Sequence, residues 1–196
     1  VIYWNTCTGW LWVWTGWSPS DMVGAWSESA CCGAGETASM VACTQWFYYA
    51  NEPAGYGFTG AVEVWSADGA MCPLAPIASQ PLLPIDRTNY ITWDPAVTVT
   101  GPFVLMYVVG TAPGQDLAIG TDHPAAGPTG PQACGYCYPS PRSVTSFYYG
   151  NPTTVLCPGS VFNDDICDCE LLFDAQFSCV IGVEESSWGT IKGLYR

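Results

Sequence analysis

Hydrolysis near neutral pH calls for a histidine beside a nucleophile, or for two carboxylates flanking the bond to be broken. The chain has one histidine, His123, followed by a proline that biases it toward extended or turn backbone, and it has no Gly-x-Ser-x-Gly elbow. A single histidine also makes a mononuclear zinc or copper catalyst hard to build. The carboxylate candidates are Glu63 and Glu170, each on or beside an expected strand. Glu63 lies between Val62 and Val64, and so reads more simply as the outward residue of a strand. No catalytic residue is assigned, and the chain is expected not to be an enzyme.

Ion binding has a better candidate. Asp164, Asp165, Asp168 and Glu170 fall within one short acidic run fixed by Cys167 and Cys169. Clustered oxygen ligands of this kind suit a structural calcium ion, although the order lacks the glycine of an EF-hand, and a solvated acidic turn is the simpler alternative. No other cofactor is expected.

Eleven cysteines, Cys7, Cys31, Cys32, Cys43, Cys72, Cys134, Cys137, Cys157, Cys167, Cys169 and Cys179, are too many for a reducing compartment without metal. Only Cys134 and Cys137 have the Cys-x-x-Cys spacing, and Tyr138 follows where a c-type haem needs histidine. Disulfides are therefore expected, with the adjacent Cys31 and Cys32 joined to different partners. The odd count leaves one thiol free or paired between subunits. This cysteine usage predicts an exported protein, extracellular or at the cell surface, after removal of a signal peptide.

Charge narrows the partners. The 196 residues carry a formal charge of −13, which argues against nucleic acid and against an anionic membrane surface. The longest plainly apolar run, 103–109, is far short of the roughly 20 residues that span a bilayer, so no membrane span is expected. The basic ending, with Lys192 and Arg196 in the last six residues, stands apart from the acidic remainder.

These residues must be held by a scaffold, and composition points to its kind. Charged residues make up 11%, aromatics 14%, and there are 21 Gly and 16 Pro, which suits many short strands joined by turns. An all-β, disulfide-stapled antiparallel β-sandwich is predicted, jelly-roll or immunoglobulin-like, with an extended N-terminal arm. Strands are expected at 44–50, 60–67, 89–93, 96–100, 103–109, 144–149, 153–157 and 171–180. In the last of these Leu171, Phe173, Ala175, Phe177 and Cys179 are expected to face the core. The four prolines of 73–84 predict a covered, extended connector, and 110–142 predicts a long Gly/Pro/Cys loop. Residues 18–196 form the single expected domain and 1–17 the arm. An echo of Phe47-Tyr48-Tyr49 in Phe147-Tyr148-Tyr149 raises a weaker alternative, a duplication into two half-domains.

The arm contains GWLWVWTGW at 9–17. In an extended strand Trp10, Trp12 and Trp14 share one face while Leu11 and Val13 occupy the other, so neither face suits water. With Trp4 and Trp17, these residues are the candidate subunit interface. Added to the sheet edge of another copy, such a strand joins subunits by β-augmentation, and repeated head to tail it makes a homopolymeric filament. Two other readings stay open: an internal core strand, and a carbohydrate-binding module that stacks polysaccharide on exposed Trp and Tyr.

The ending SSWGTIKGLYR at 186–196, with CELLFD at 169–174 before it, resembles the C-terminal part of uncharacterised exported β-sandwich proteins of Gram-negative environmental bacteria. The region 89–105 is similar more loosely. The resemblance implies export and a sandwich fold, and it supplies no catalytic residues.

Overall fold

Segments rich in Val, Trp, Tyr and Thr, cut short by Pro and Gly, form strands throughout. The computed structural model describes residues 8–14, 17–28, 30, 32–33, 36–48, 57–111, 117–122, 146–150, 157, 160–161 and 170–181. Among them are eleven strands and no helix: β1 Thr8–Trp14, β2 Met22–Ser27, β3 Glu36–Tyr48, β4 Thr59–Ala67, β5 Pro73–Leu82, β6 Arg87–Val99, β7 Phe103–Thr111, β8 Leu117–Asp122, β9 Ser146–Gly150, β10 Ser160–Val161 and β11 Phe173–Ile181.

They make two antiparallel sheets. The first runs β1-β8-β3-β11, with β6 also paired to β3. Phe47 of β3 has Arg87 of β6 as one partner and Ile119 of β8 as the other, so β6 and β8 flank β3 on opposite sides. The second sheet runs β10-β9-β2-β7-β4-β5. The main core joins the two: Met40, Phe47 and Ile91 from the first sheet pack in one cluster with Val64, Leu105 and Tyr107 from the second. The rings of Phe47 and Tyr107 meet edge-on at 4.9 Å. Gln45, fully buried, sends its side-chain amide across the core to the Met106 carbonyl at 3.1 Å.

The second sheet is buried on both faces at its centre. Val23 and Ala25 of β2 belong to the main core, whereas Met22 and Trp26, displaced by one residue and so on the opposite face, pack with Met106 and Phe147 in a separate apolar cluster. A strand covered on both sides loses the alternation of a half-wet strand, which explains why β2 gives no clear period in the sequence.

Other elements also differ from expectation. The expected loop 110–142 contains β8, whose Leu117-Ala-Ile-Gly is short and set among Gly and Pro. The two strands expected at 89–93 and 96–100 are one, β6, which departs from regular pairing with β3 between Thr92 and Val97; the proline between them is tolerated because β6 is an edge. The proline-rich 73–84 stretch is not covered. It supplies β5, an edge strand with Leu74 62% exposed. In the strand expected at 171–180 the inward positions hold for Leu171, Phe173, Ala175 and Phe177, whose ring meets Phe103 edge-on at 5.5 Å, but the cover ends there, and Cys179 is exposed and bridged to Cys32 instead of lying in the core. The Phe47 and Phe147 copies of the aromatic echo lie in different sheets, on β3 and β9.

Candidate functional site

One of the places where the chain crosses from the second sheet to the first is a tight corner. Between β5 and β6 only residues 83–86 intervene, and buried Asn89 pins them: its side-chain oxygen accepts from the Ile85 amide at 2.8 Å, and its nitrogen donates to the carbonyls of Ile85 at 2.9 Å and Arg87 at 3.1 Å. The corner sets two edge strands side by side. Among the described strands β5 pairs only with β4, and β6 only with β3. The space between them is a groove of about 710 Å³ lined by residues 77–81 of β5 and 92–98 of β6.

The two walls differ chemically. β5 carries Pro73, Pro76 and Pro81, which have no N–H, so it is poorly equipped to pair with an incoming strand. β6 has a proline only at Pro95, and keeps its other amides. Residues 73–99 include just three charged side chains, Asp86, Arg87 and Asp94, although much of this surface is open: Leu83 is 70% exposed and Tyr90 59%. Natural sheets usually protect a long edge with charge, and this one carries little of it.

Trp93 lies in the groove wall. Its ring is buried at 8% exposure, and its indole N–H has no hydrogen-bond partner among the described residues. Burial pushes the Cys43 thiol up to about 12, with the Trp93 contact opposing the shift and the Asp174 carboxylate adding to it.

The expected interface arm is placed in part. The backbone of β1 is not free-standing: it pairs antiparallel with β8, Trp10 opposite Thr121, Trp12 opposite Ile119 and Trp14 opposite Leu117. Its other edge has no partner strand among the described residues. Leu11 and Val13 are opposite Gly120 and Ala118. Trp17 corrects the expectation, because it is buried in the main core and packs edge-on against Tyr148 of its own chain at 6.4 Å, where a neighbouring subunit cannot reach it. Trp4 lies outside the described residues.

Among the described residues there are two disulfides, Cys32–Cys179 and Cys72–Cys157, closing spans of 147 and 85 residues. They indicate an oxidising compartment. Cys43 is a free thiol, as the odd count requires of one cysteine, held in the core on the inward side of β3 with no bridging partner among the described residues. Cys32, Glu36 and Cys179 bring three metal-ligating atoms within 4.8 Å of one another, but the two sulfurs are bonded to each other, and Glu36 accepts the Gly33 amide at 2.7 Å. Cys7, Cys31, Cys134, Cys137, Cys167 and Cys169 lie outside the described residues, as do His123, residues 153–156 and the ending 186–196.

The two carboxylate candidates have different surroundings. Glu63 is on β4, where it accepts from the Trp65 indole at 2.7 Å and the Ser79 hydroxyl at 3.0 Å. Glu170 is buried and accepts from the Ser146 hydroxyl at 2.5 Å, so its carboxylate is engaged inside the protein. Asp164, Asp165 and Asp168, the remaining calcium candidates, lie outside the described residues.

Among the described side chains Trp17, Trp26 and Trp93 are buried and Trp46 and Trp65 half-buried, which leaves no exposed indole there to stack on a sugar. The groove itself is absent from the sequence reading. Its one signal is the scarcity of charge in 73–99, and exposure, which gives that scarcity meaning, is set by tertiary structure. No family model, curated protein or solved structure matches the chain.

Proposed function

We propose that this protein is a secreted, non-enzymatic structural subunit of an extracellular or cell-surface assembly, its copies joined by extension of their β-sheets. The observation that carries this reading is a pair of strand edges at opposite limits of the first sheet, β1 on one side and β6 on the other, that have no partner among the described residues. An unpaired edge presents a row of backbone donors and acceptors, and a nearly uncharged edge presents them with little of the usual protection. Disulfides at the exposed positions Cys157 and Cys179 suit a subunit that must last in an oxidising medium. Among the described residues no helix is long and apolar enough to cross a membrane.

The test is sedimentation velocity of the disulfide-intact chain over a range of concentrations, with negative-stain imaging of the fastest fraction. The reading predicts species heavier than one chain that lengthen with concentration. A single species of one-chain mass at every concentration overturns it.

A further inference from the structure

We infer that the groove between β5 and β6 receives β1 of a second copy, which pairs antiparallel with β6 while β5 covers it. This rests on the assembly reading above and names the two strands that meet.

Strand polarity supports the pairing. β1 is antiparallel to β8, β8 to β3, and β3 to β6. Three reversals make β1 antiparallel to β6 within one sheet. A second copy set beside the first in the same orientation therefore brings its β1 alongside β6 in the antiparallel sense that every other pair in the molecule uses. The first sheet then continues from copy to copy. Because the two surfaces differ, the contact is heterologous: each copy that joins still offers one β1 and one β6 edge, and growth need not close.

Chemistry supports the same occupant. β1 has no charged residue, nor has any position from 1 to 20, and the groove lining contains one, Asp94. In a chain of net charge −13, a join between copies must keep carboxylates apart, and this one does. The β1 sequence is apolar at successive positions from Trp10 to Trp14, so it needs cover on both sides. A groove supplies that cover where a flat edge does not. The prolines of β5 direct backbone pairing to β6, leaving β5 as the wall.

The outer edge of β11 is the competing surface, since β11 pairs only with β3. It ends at the Cys32–Cys179 bridge, and the groove faces β6 instead.

The experiment uses the full chain with its disulfides formed. Chains carrying Thr98→p-benzoylphenylalanine are prepared at natural isotope abundance, mixed with ¹⁵N-labelled wild type, irradiated and mapped by mass spectrometry. Mixed-isotope cross-links from position 98 to residues 8–14 are expected. In parallel, Thr92→Lys with Thr98→Lys places two ammonium groups at exposed positions of the groove, where folding tolerates them. Association is expected to weaken roughly 100-fold, as for unpaired charge buried at an interface. Retained circular dichroism and unchanged disulfide mapping establish that the variant is folded. Wild type that assembles but cross-links elsewhere, for instance to β11, overturns this inference and leaves the assembly reading standing, as does a folded lysine variant that assembles normally. Wild type that never exceeds one-chain mass overturns both.

Discussion

The Ser146 hydroxyl lies 2.5 Å from a carboxylate oxygen of Glu170 and accepts the Leu171 amide at 2.8 Å, fastening β9 of the second sheet to the chain just ahead of β11 in the first. Ser146→Ala removes a hydroxyl that serves a buried carboxylate and a buried amide together. Unfolding in urea is expected to show a loss of about 2–4 kcal/mol. A loss below the error of the titration would mean that this contact contributes nothing to holding the sheets.

Cys43 is expected to be inert while the protein is folded. With its thiol pushed up to about 12 by burial, only about one molecule in ten thousand is thiolate at pH 8. Iodoacetamide should label it in denaturant and leave it unlabelled in buffer, as read by peptide mass spectrometry. Rapid native labelling would contradict its placement in the core.

The same burial predicts weakening at high pH. A thiol or phenol whose folded pKa is raised keeps its proton longer in the native state, so its contribution is whole below the unfolded pKa and is lost as pH climbs toward the folded value. Cys43 moves from 9.0 to about 12, and Tyr148, through burial and then the Asp21 carboxylate, from 10.0 to about 12; burial raises Tyr149 as well. Stability contributed by these groups should be level up to pH 9 and fall beyond it, measured as the urea midpoint against pH. In Cys43→Ala the fall should begin nearer pH 10.

Gly120 on β8 has no room for a side chain. A Cβ there would stand 2.1 Å from Cε3 of Trp46. The indole must be displaced, so Gly120→Ala is expected to lose about 1–3 kcal/mol by overpacking. Since Gly120 is opposite Leu11, this variant should also loosen β1, seen as faster amide exchange at residues 8–14.

The Cys32–Cys179 bridge spans 147 residues, and removing it with Cys32→Ser and Cys179→Ser is expected to destabilise by up to about 5 kcal/mol on the loop-entropy account. A thermal midpoint unchanged from wild type would contradict that role.

The strands that were legible in the sequence are those with one covered face. β4 shows Val62 and Val64 inward with Glu63 between them, and β11 alternates as far as Phe177. β2 was hidden because both its faces are covered, and β8 because six residues set among Gly and Pro carry too little pattern. Cys179 was misplaced because the cover over β11 stops after Phe177, a limit that no residue type announces. The aromatic strand was visible at once, yet its pairing with β8 depends on a partner more than a hundred residues away in the chain. The groove was not legible at all, because Trp93 and Ser79 are brought together only by the corner that Asn89 pins.

Amide hydrogen exchange, compared between dispersed and associated protein, tests the central claim most directly. The account predicts that residues 8–14 and the edge amides of β6 slow together on association, while exchange along β11 stays as it was. Equal exchange at β1 and β6 in the two samples would contradict it.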